Sequence, residues 1–181
     1  MEIKKTDGWS RKKYLELSAP TSEDNVSDQE RIARKLRKEY GNIRFSLSAL
    51  RKLYPLCCKN GWKITLLLVW NGNDWEVEDI EEGDTTQEHY GVCADLGSTT
   101  LVGELVDLNT GRVLCQKSVF NHQIDYGEDI LTRIFYGKDC PGRLEELRKS
   151  TIESFLELFK KMEEDTEIPA WKCSSMIIAG N

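Results

Sequence analysis

The chain has 181 residues, 39% hydrophobic and 31% charged, and 31 acidic side chains against 25 basic ones give a formal net charge of −6. Five Trp, six Tyr and five Phe supply bulky core material, so wholesale disorder is excluded, and the length suits one good-sized domain or two small ones. The acidic balance argues against general nucleic-acid binding, and the longest apolar run, Ile64 to Trp70, is far too short to span a bilayer.

Residues 1–8 are expected to be disordered or extended, and the chain stays extended to residue 26 because Pro20, Thr21, Ser22 and Asn25 interrupt any periodicity. Ser27 followed by Glu30 reads as a capping box, with Ile32, Leu36 and Tyr40 at helical spacing and Gly41 as the stop. A second short helix fits Leu47, Leu50 and Leu53 and is expected to end before Pro55. Lys63 to Trp70 is a β-rich run, Asn71-Gly72-Asn73-Asp74 a turn, and Trp75, Val77 and the acidic residues after them the return arm of a hairpin. Residues 9–87 thus form a small α+β module closed by Glu81-Glu82-Gly83-Asp84, with nothing in it that reads as catalytic.

From Tyr90 the pattern changes. Tyr90 to Leu96 is a short apolar strand running into Gly97-Ser98-Thr99-Thr100; Leu101 to Leu108 and Val113 to Phe120 are two more, joined by Asn109-Thr110-Gly111. Tyr126-Gly127-Glu128-Asp129 leads into a helix with Ile130, Ile134 and Phe135 on one face. A longer helix after Pro141 shows Leu144, Leu147, Thr151, Phe155, Leu158 and Met162 at intervals of three or four, and Ser174 to Ala179 is a closing strand. The order β-β-β-α-α-β over 90–181 is that of a ribonuclease-H-like partial domain, so the fold class is α/β, with its first three strands antiparallel and the last parallel to the first.

Six cysteines, Cys57, Cys58, Cys93, Cys115, Cys140 and Cys173, include a vicinal pair but no C-x-x-C, and His89 and His122 stand alone. Free thiols in a reducing compartment are the expectation, with no metal site built from the chain's own Cys and His residues. With no charged-then-apolar leader, a soluble cytoplasmic protein is expected.

Asp95-Leu96-Gly97-Ser98-Thr99-Thr100 joins the first two strands of the second domain. A polyphosphate needs several N–H donors pointing one way, a backbone that can approach closely, and hydroxyls for the remaining oxygens. Gly97 would permit that approach and unusual torsions, while Ser98, Thr99 and Thr100 add hydroxyls. Asp95, at a strand end, is placed to hold magnesium through water, an ion that dehydrates reluctantly. A plain D-x-G turn is the alternative; the strands on either side favour the phosphate reading. Neither a G-x-x-x-x-G-K-[ST] loop nor a G-x-G-x-x-G fingerprint occurs.

Tyr90 to Thr100 resembles the first phosphate motif of the actin, sugar-kinase and heat-shock-chaperone ATPase superfamily. More specifically, Asn121-His122-Gln123-Ile124-Asp125-Tyr126-Gly127-Glu128-Asp129-Ile130-Leu131-Thr132-Arg133-Ile134 is similar to a signature of the reductive activators of corrinoid proteins. Ile177 to Asn181 resembles the start of that family's next motif, and Tyr14 to Leu17, Pro20 and Ser27 to Arg31 resemble its linker domain.

The resemblance implies an ATP-dependent protein that returns inactive Co(II) corrinoid to Co(I) for methyl transfer, with ATP and Mg2+ bound in the complete protein. The electron would come from an iron–sulfur cluster outside this chain. Residues 9–87 correspond to the linker domain and 90–181 to the first part of an actin-like ATPase domain, stopping before a second phosphate motif. Asp95 carries over as the catalytic and magnesium residue, and Gly97, Ser98, Thr99 and Thr100 as the ATP-binding turn. The implied partner is a corrinoid protein, with a homodimer through the ATPase domain left open. Asn121 to Arg133 is either part of such a surface or an amphipathic core helix with its loop. An activator of 2-hydroxyacyl-CoA dehydratases, a small-metabolite kinase and a non-catalytic interaction module retaining the fold remain as alternative readings.

Overall fold

The computed structural model describes residues 8–138 and 140–180, which divide after His89 into two units with separate cores. Residues 1–7, expected disordered or extended, and Asn181, the end of the resemblance to the next motif, lie outside the described residues.

In the first unit, β3 (Lys63–Trp70) and β4 (Trp75–Glu82) form the expected hairpin. Asn71 Oδ1 accepts from the Asn73 and Asp74 amides at 3.1 and 3.0 Å, which holds the turn in shape. Two strands were not legible from the sequence. β1 (Ser10–Glu16) pairs antiparallel with β3 along its whole length, and β2 (Ile43–Phe45) pairs parallel with β4, giving the order β1-β3-β4-β2. β1 is an edge strand in which Leu15 alone is fully buried, so its charged sequence carries no apolar alternation. Ile64, Leu66 and Leu68 of β3 present one face to α1 (Asp28–Tyr40) and α2 (Leu47–Lys59), which contribute Ile32, Leu36, Ala49, Leu53 and Cys57.

The capping box forms by half: Ser27 Oγ accepts from the Glu30 amide at 3.3 Å, while the Glu30 carboxylate turns to Arg34 Nε at 2.9 Å. Helix α2 does not stop before Pro55. It continues to Lys59 because Pro55 lies on the exposed side, where the carbonyl left without its N–H partner can be hydrated, and Cys57 anchors the next turn in the core. Its inward positions are Ala49, Leu53 and Cys57; Leu47 and Leu50, expected to face inward, are exposed.

The second unit has the sheet order β7-β6-β5-β8. β5 (Tyr90–Leu96), β6 (Thr100–Asp107) and β7 (Arg112–Phe120) make an antiparallel meander, and β8 (Cys173–Gly180) returns parallel to β5. The crossover runs through a short 3-10 turn (His122–Tyr126), α3 (Ile130–Lys138) and α4 (Pro141–Thr166). α4 buries Ser150, Ser154, Leu158 and Met162, whereas Leu144, expected in that stripe, is exposed.

The apolar stripe of helix α3, for which the sequence left a surface or a core role open, lies outward. Ile130, Ile134 and Phe135 are exposed, and Arg133 and Gly137 face inward. Arg133 Nε reaches the Gly127 carbonyl at 2.8 Å, and bare Gly137 lets the side chains of Leu144 and Leu147 come close. Gly103 of β6 plays a comparable part under α4: a Cβ there would meet Leu158 Cδ2 at 2.7 Å and Met162 Cε at 2.8 Å. Gly103→Ala is therefore expected to cost about 1–3 kcal/mol in urea unfolding, because a full core cannot absorb an added methyl without shifting side chains.

Candidate phosphate-binding site

Leu96 ends β5 and Thr100 begins β6, so Gly97, Ser98 and Thr99 form the link at the tip of the meander. The link is closed by the Gly97 amide donating to the Thr100 carbonyl at 3.0 Å. A Cβ on Gly97 would stand 2.8 Å from that oxygen, so glycine is required here for close approach. The expected unusual torsion is not what demands it, since Gly97 is not among the residues with positive φ.

Asn121, directly after β7 and only 3% exposed, holds the link from beneath. Its amide donates to the Thr99 carbonyl at 2.8 Å, its Nδ2 donates to the Gly97 carbonyl at 2.9 Å, and its Oδ1 accepts from the Gln123 amide at 3.0 Å. A trans peptide carries its N–H opposite its C=O. Drawing the Gly97 and Thr99 carbonyls toward Asn121 therefore turns the Ser98 and Thr100 amides away from it. Ser98, Thr99 and Thr100 are exposed, so their hydroxyls share one accessible tip with the Ser98 amide.

The segment after Asn121 is fastened to α4. The His122 amide donates to Ser154 Oγ at 2.9 Å, and Gln123 Nε2 donates to the Leu147 carbonyl and to Thr151 Oγ1 at 3.1 and 2.7 Å. His122 Nε2 lies 2.8 Å from Glu157, whose carboxyl is held below its ordinary range first by Lys161 and then by His122. The sequence marked this block as similar to a family signature without showing that Asn121 is a clamp. A polar amide immediately after an apolar strand was the available signal; only the β6–β7 register, Thr100 opposite Phe120, brings it beside the turn.

Asp95 sits one residue before the end of β5, exposed and on the face opposite the buried Val92 and Ala94. Its side chain makes no hydrogen bond or ion pair with the described residues and lines a shallow depression of about 390 Å3 with Cys93, Glu104 and Gln116. Gly97 and Ser98 instead border a separate cavity of about 620 Å3 on the helical side. The five expected site residues thus share one strand end and its turn, but they do not line one cavity.

All six cysteines are free, and no cluster of three or more His, Cys, Asp or Glu suited to a metal occurs among the described residues. Cys57 is buried, and burial, with Asp28 and Cys58 adding to it, pushes its thiol up to about 12. A raised thiol stays protonated at pH 8, so Cys57 is expected to resist a thiol reagent until the chain unfolds, while exposed Cys58, Cys93 and Cys140 react at once. Mass spectrometry of the modified peptides checks this order.

An antiparallel meander, a helical crossover and a fourth strand parallel to the first make the second unit a ribonuclease-H-like partial domain of the actin-like ATPase class. The α+β module stands before it in the chain. The chain belongs to the RACo family: residues 5–87 match the RACo linker region and residues 90–181 the RACo middle region. It is similar to the corrinoid activation enzyme RamQ of Eubacterium limosum, 28% identical over 105 residues that cover 58% of this chain and 18% of RamQ. It is also similar to a solved reductive activator for corrinoid, iron-sulfur protein, with a TM-score of 0.85 and 28% identity, covering 100% of this chain and 29% of that one. The chain therefore spans less than a third of either relative. No helix among the described residues is long and apolar enough to cross a membrane.

Proposed function

We propose that residues 9–87 and 90–181 supply the linker domain and the first part of the ATPase domain of an ATP-dependent reductive activator. Its task would be to return an inactive Co(II) corrinoid protein to Co(I), the nucleophile of methyl transfer. The observation that carries this reading is the likeness of the whole chain to a reductive activator for a corrinoid, iron-sulfur protein. The turn at the tip of the meander supports it, because its geometry suits phosphate.

The residues present fit magnesium and a nucleotide's phosphates. Asp95 is an exposed carboxylate at a strand end with no side-chain partner among the described residues, suited to a hydrated magnesium ion. The Ser98 amide and the hydroxyls of Ser98, Thr99 and Thr100 suit phosphate oxygens. Bound ATP would supply the free energy for an uphill one-electron reduction. The chain's own part is to orient amide donors and to hold the magnesium shell through Asp95. An iron–sulfur cluster does not fit the dispersed cysteines, two of which, Cys57 and Cys115, are buried. The electron would therefore enter through an iron–sulfur domain that this chain does not supply. The exposed apolar residues of α3, among them Leu131 and Phe135, suit a contact with the corrinoid protein or with a second copy in a homodimer. We assign this activity to the cytoplasm, in keeping with six free thiols.

The test is an activator in which this chain replaces the matching regions of a relative, supplied with a low-potential reductant and Co(II) corrinoid protein. ATP-dependent loss of the Co(II) absorption and appearance of Co(I) is the expected result. Reduction that proceeds equally without ATP, or not at all with a properly folded chimera, would contradict the reading.

A further inference from the structure

The cavity of about 620 Å3 on the helical side of the second unit has a chemistry of its own. Its volume is in the range of small-molecule sites, and Ile130, Ile134, Leu144 and Leu147 give it an apolar wall. Arg133 forms part of the same wall at 6% exposure. Its Nε donates to the Gly127 carbonyl at 2.8 Å, but its Nη2 is buried and has no partner among the described residues. No carboxylate lies within ion-pair distance of it among the described residues. Asp129, whose carboxyl feels the Arg133 charge, directs its two oxygens to the Thr132 amide and hydroxyl at 2.8 and 3.0 Å.

A buried cation with a single hydrogen bond is unfavourable until an anion meets it, and a guanidinium fork is matched to oxyanions. The lining as a whole points the same way. In a unit with more acidic than basic side chains, the charged residues that line this cavity among the described residues are both cations, Arg133 and Lys138. We propose that the cavity binds a small organic oxyanion, a carboxylate or a phosphate monoester, with its charged end on Arg133 and its apolar body against Leu144 and Leu147. The cavity is distinct from the Asp95 depression, but Gly97 and Ser98 of the proposed phosphate turn form part of its rim, so the proposal rests in part on that reading. Loss of the anion preference in Arg133→Met with the Mg-ATP response of the turn intact tells the two apart.

The experiment is a titration of the isotope-labelled chain with hexanoate, hexyl phosphate and the neutral hexanamide, followed by NMR. The Arg133 Nε–H and the Gly137 and Leu147 amides are the reporters. At least one anion is expected to shift these signals saturably and to bind about tenfold or more tighter than hexanamide. Arg133→Met, which keeps the stem and removes the fork, is expected to reduce that preference to about onefold. Should Arg133→Met fail to fold, Ile134→Glu at an exposed position on the wall carries the test. It is expected to weaken anion binding about fivefold or more and hexanamide binding by clearly less, so that the anion preference falls. Equal affinity for anions and hexanamide, no saturable shift for either anion up to its solubility, or an anion preference that survives the folded variants would overturn the proposal.

Discussion

Asp95→Ala is expected to abolish ATP-dependent Co(II) reduction by an activator carrying this chain while leaving the fold untouched. The side chain is exposed and makes no hydrogen bond or ion pair with the described residues, so truncating it removes no packing and strands no partner. Its effect on stability should fall within about 0.5 kcal/mol. Its effect on activity should be large, about a hundredfold or more, because a magnesium shell that is not fixed neutralises phosphate charge poorly. Ser98→Ala should weaken activity less, since the amide of residue 98 stays where Asn121 orients it. The measurement is ATP-dependent appearance of Co(I) beside urea unfolding of each variant. Full activity in Asp95→Ala would remove the turn from the mechanism, leaving the activator reading to stand on the family match alone.

Asn121→Ala should show the converse pattern, with stability lost first and the turn loosened as a consequence. Asn121 is buried, its Nδ2 donates to the Gly97 carbonyl, and its Oδ1 accepts from the Gln123 amide. Removing the side chain leaves the part-buried Gly97 carbonyl and Gln123 amide without those partners. Two such losses cost about 2–4 kcal/mol together. Asn121→Asp retains an acceptor for Gln123 but sets a second acceptor against the Gly97 carbonyl, so at neutral pH it should be no better than alanine. Urea unfolding reads both variants, and unchanged stability in either would show that the clamp contributes nothing.

The contrast between these two residues explains how far the sequence could be read. Asp95 through Thr100 stood out because a phosphate turn is local, and the residue types and their order are the signal. Asn121 acts across two strands, and its role exists only once Thr100 lies opposite Phe120. The β3–β4 hairpin and the three-strand meander were likewise local, set by turn residues between apolar runs. β1 and β2 were hidden because one is a charged edge strand and the other has three residues, so neither shows a period. The inward face of α3 was not legible, because its apolar stripe could be read equally as a surface or as a core face. Arg133 faces inward because the Gly127 carbonyl accepts from its Nε, a contact that no hydropathy pattern reports.

The most direct test of the central claim is a titration of the chain itself with Mg-ATP, followed by amide NMR. The Ser98, Thr99 and Thr100 signals are expected to move together, with a dissociation constant no tighter than about 1 mM, roughly −4 kcal/mol. The weakness follows from contacts confined to phosphate in a chain that spans 29% of the related solved structure. Asp95→Ala should reduce the response that depends on magnesium. Signals at the turn that stay fixed at saturating nucleotide, or micromolar binding centred elsewhere on the chain, would contradict the assignment of this turn as the phosphate site.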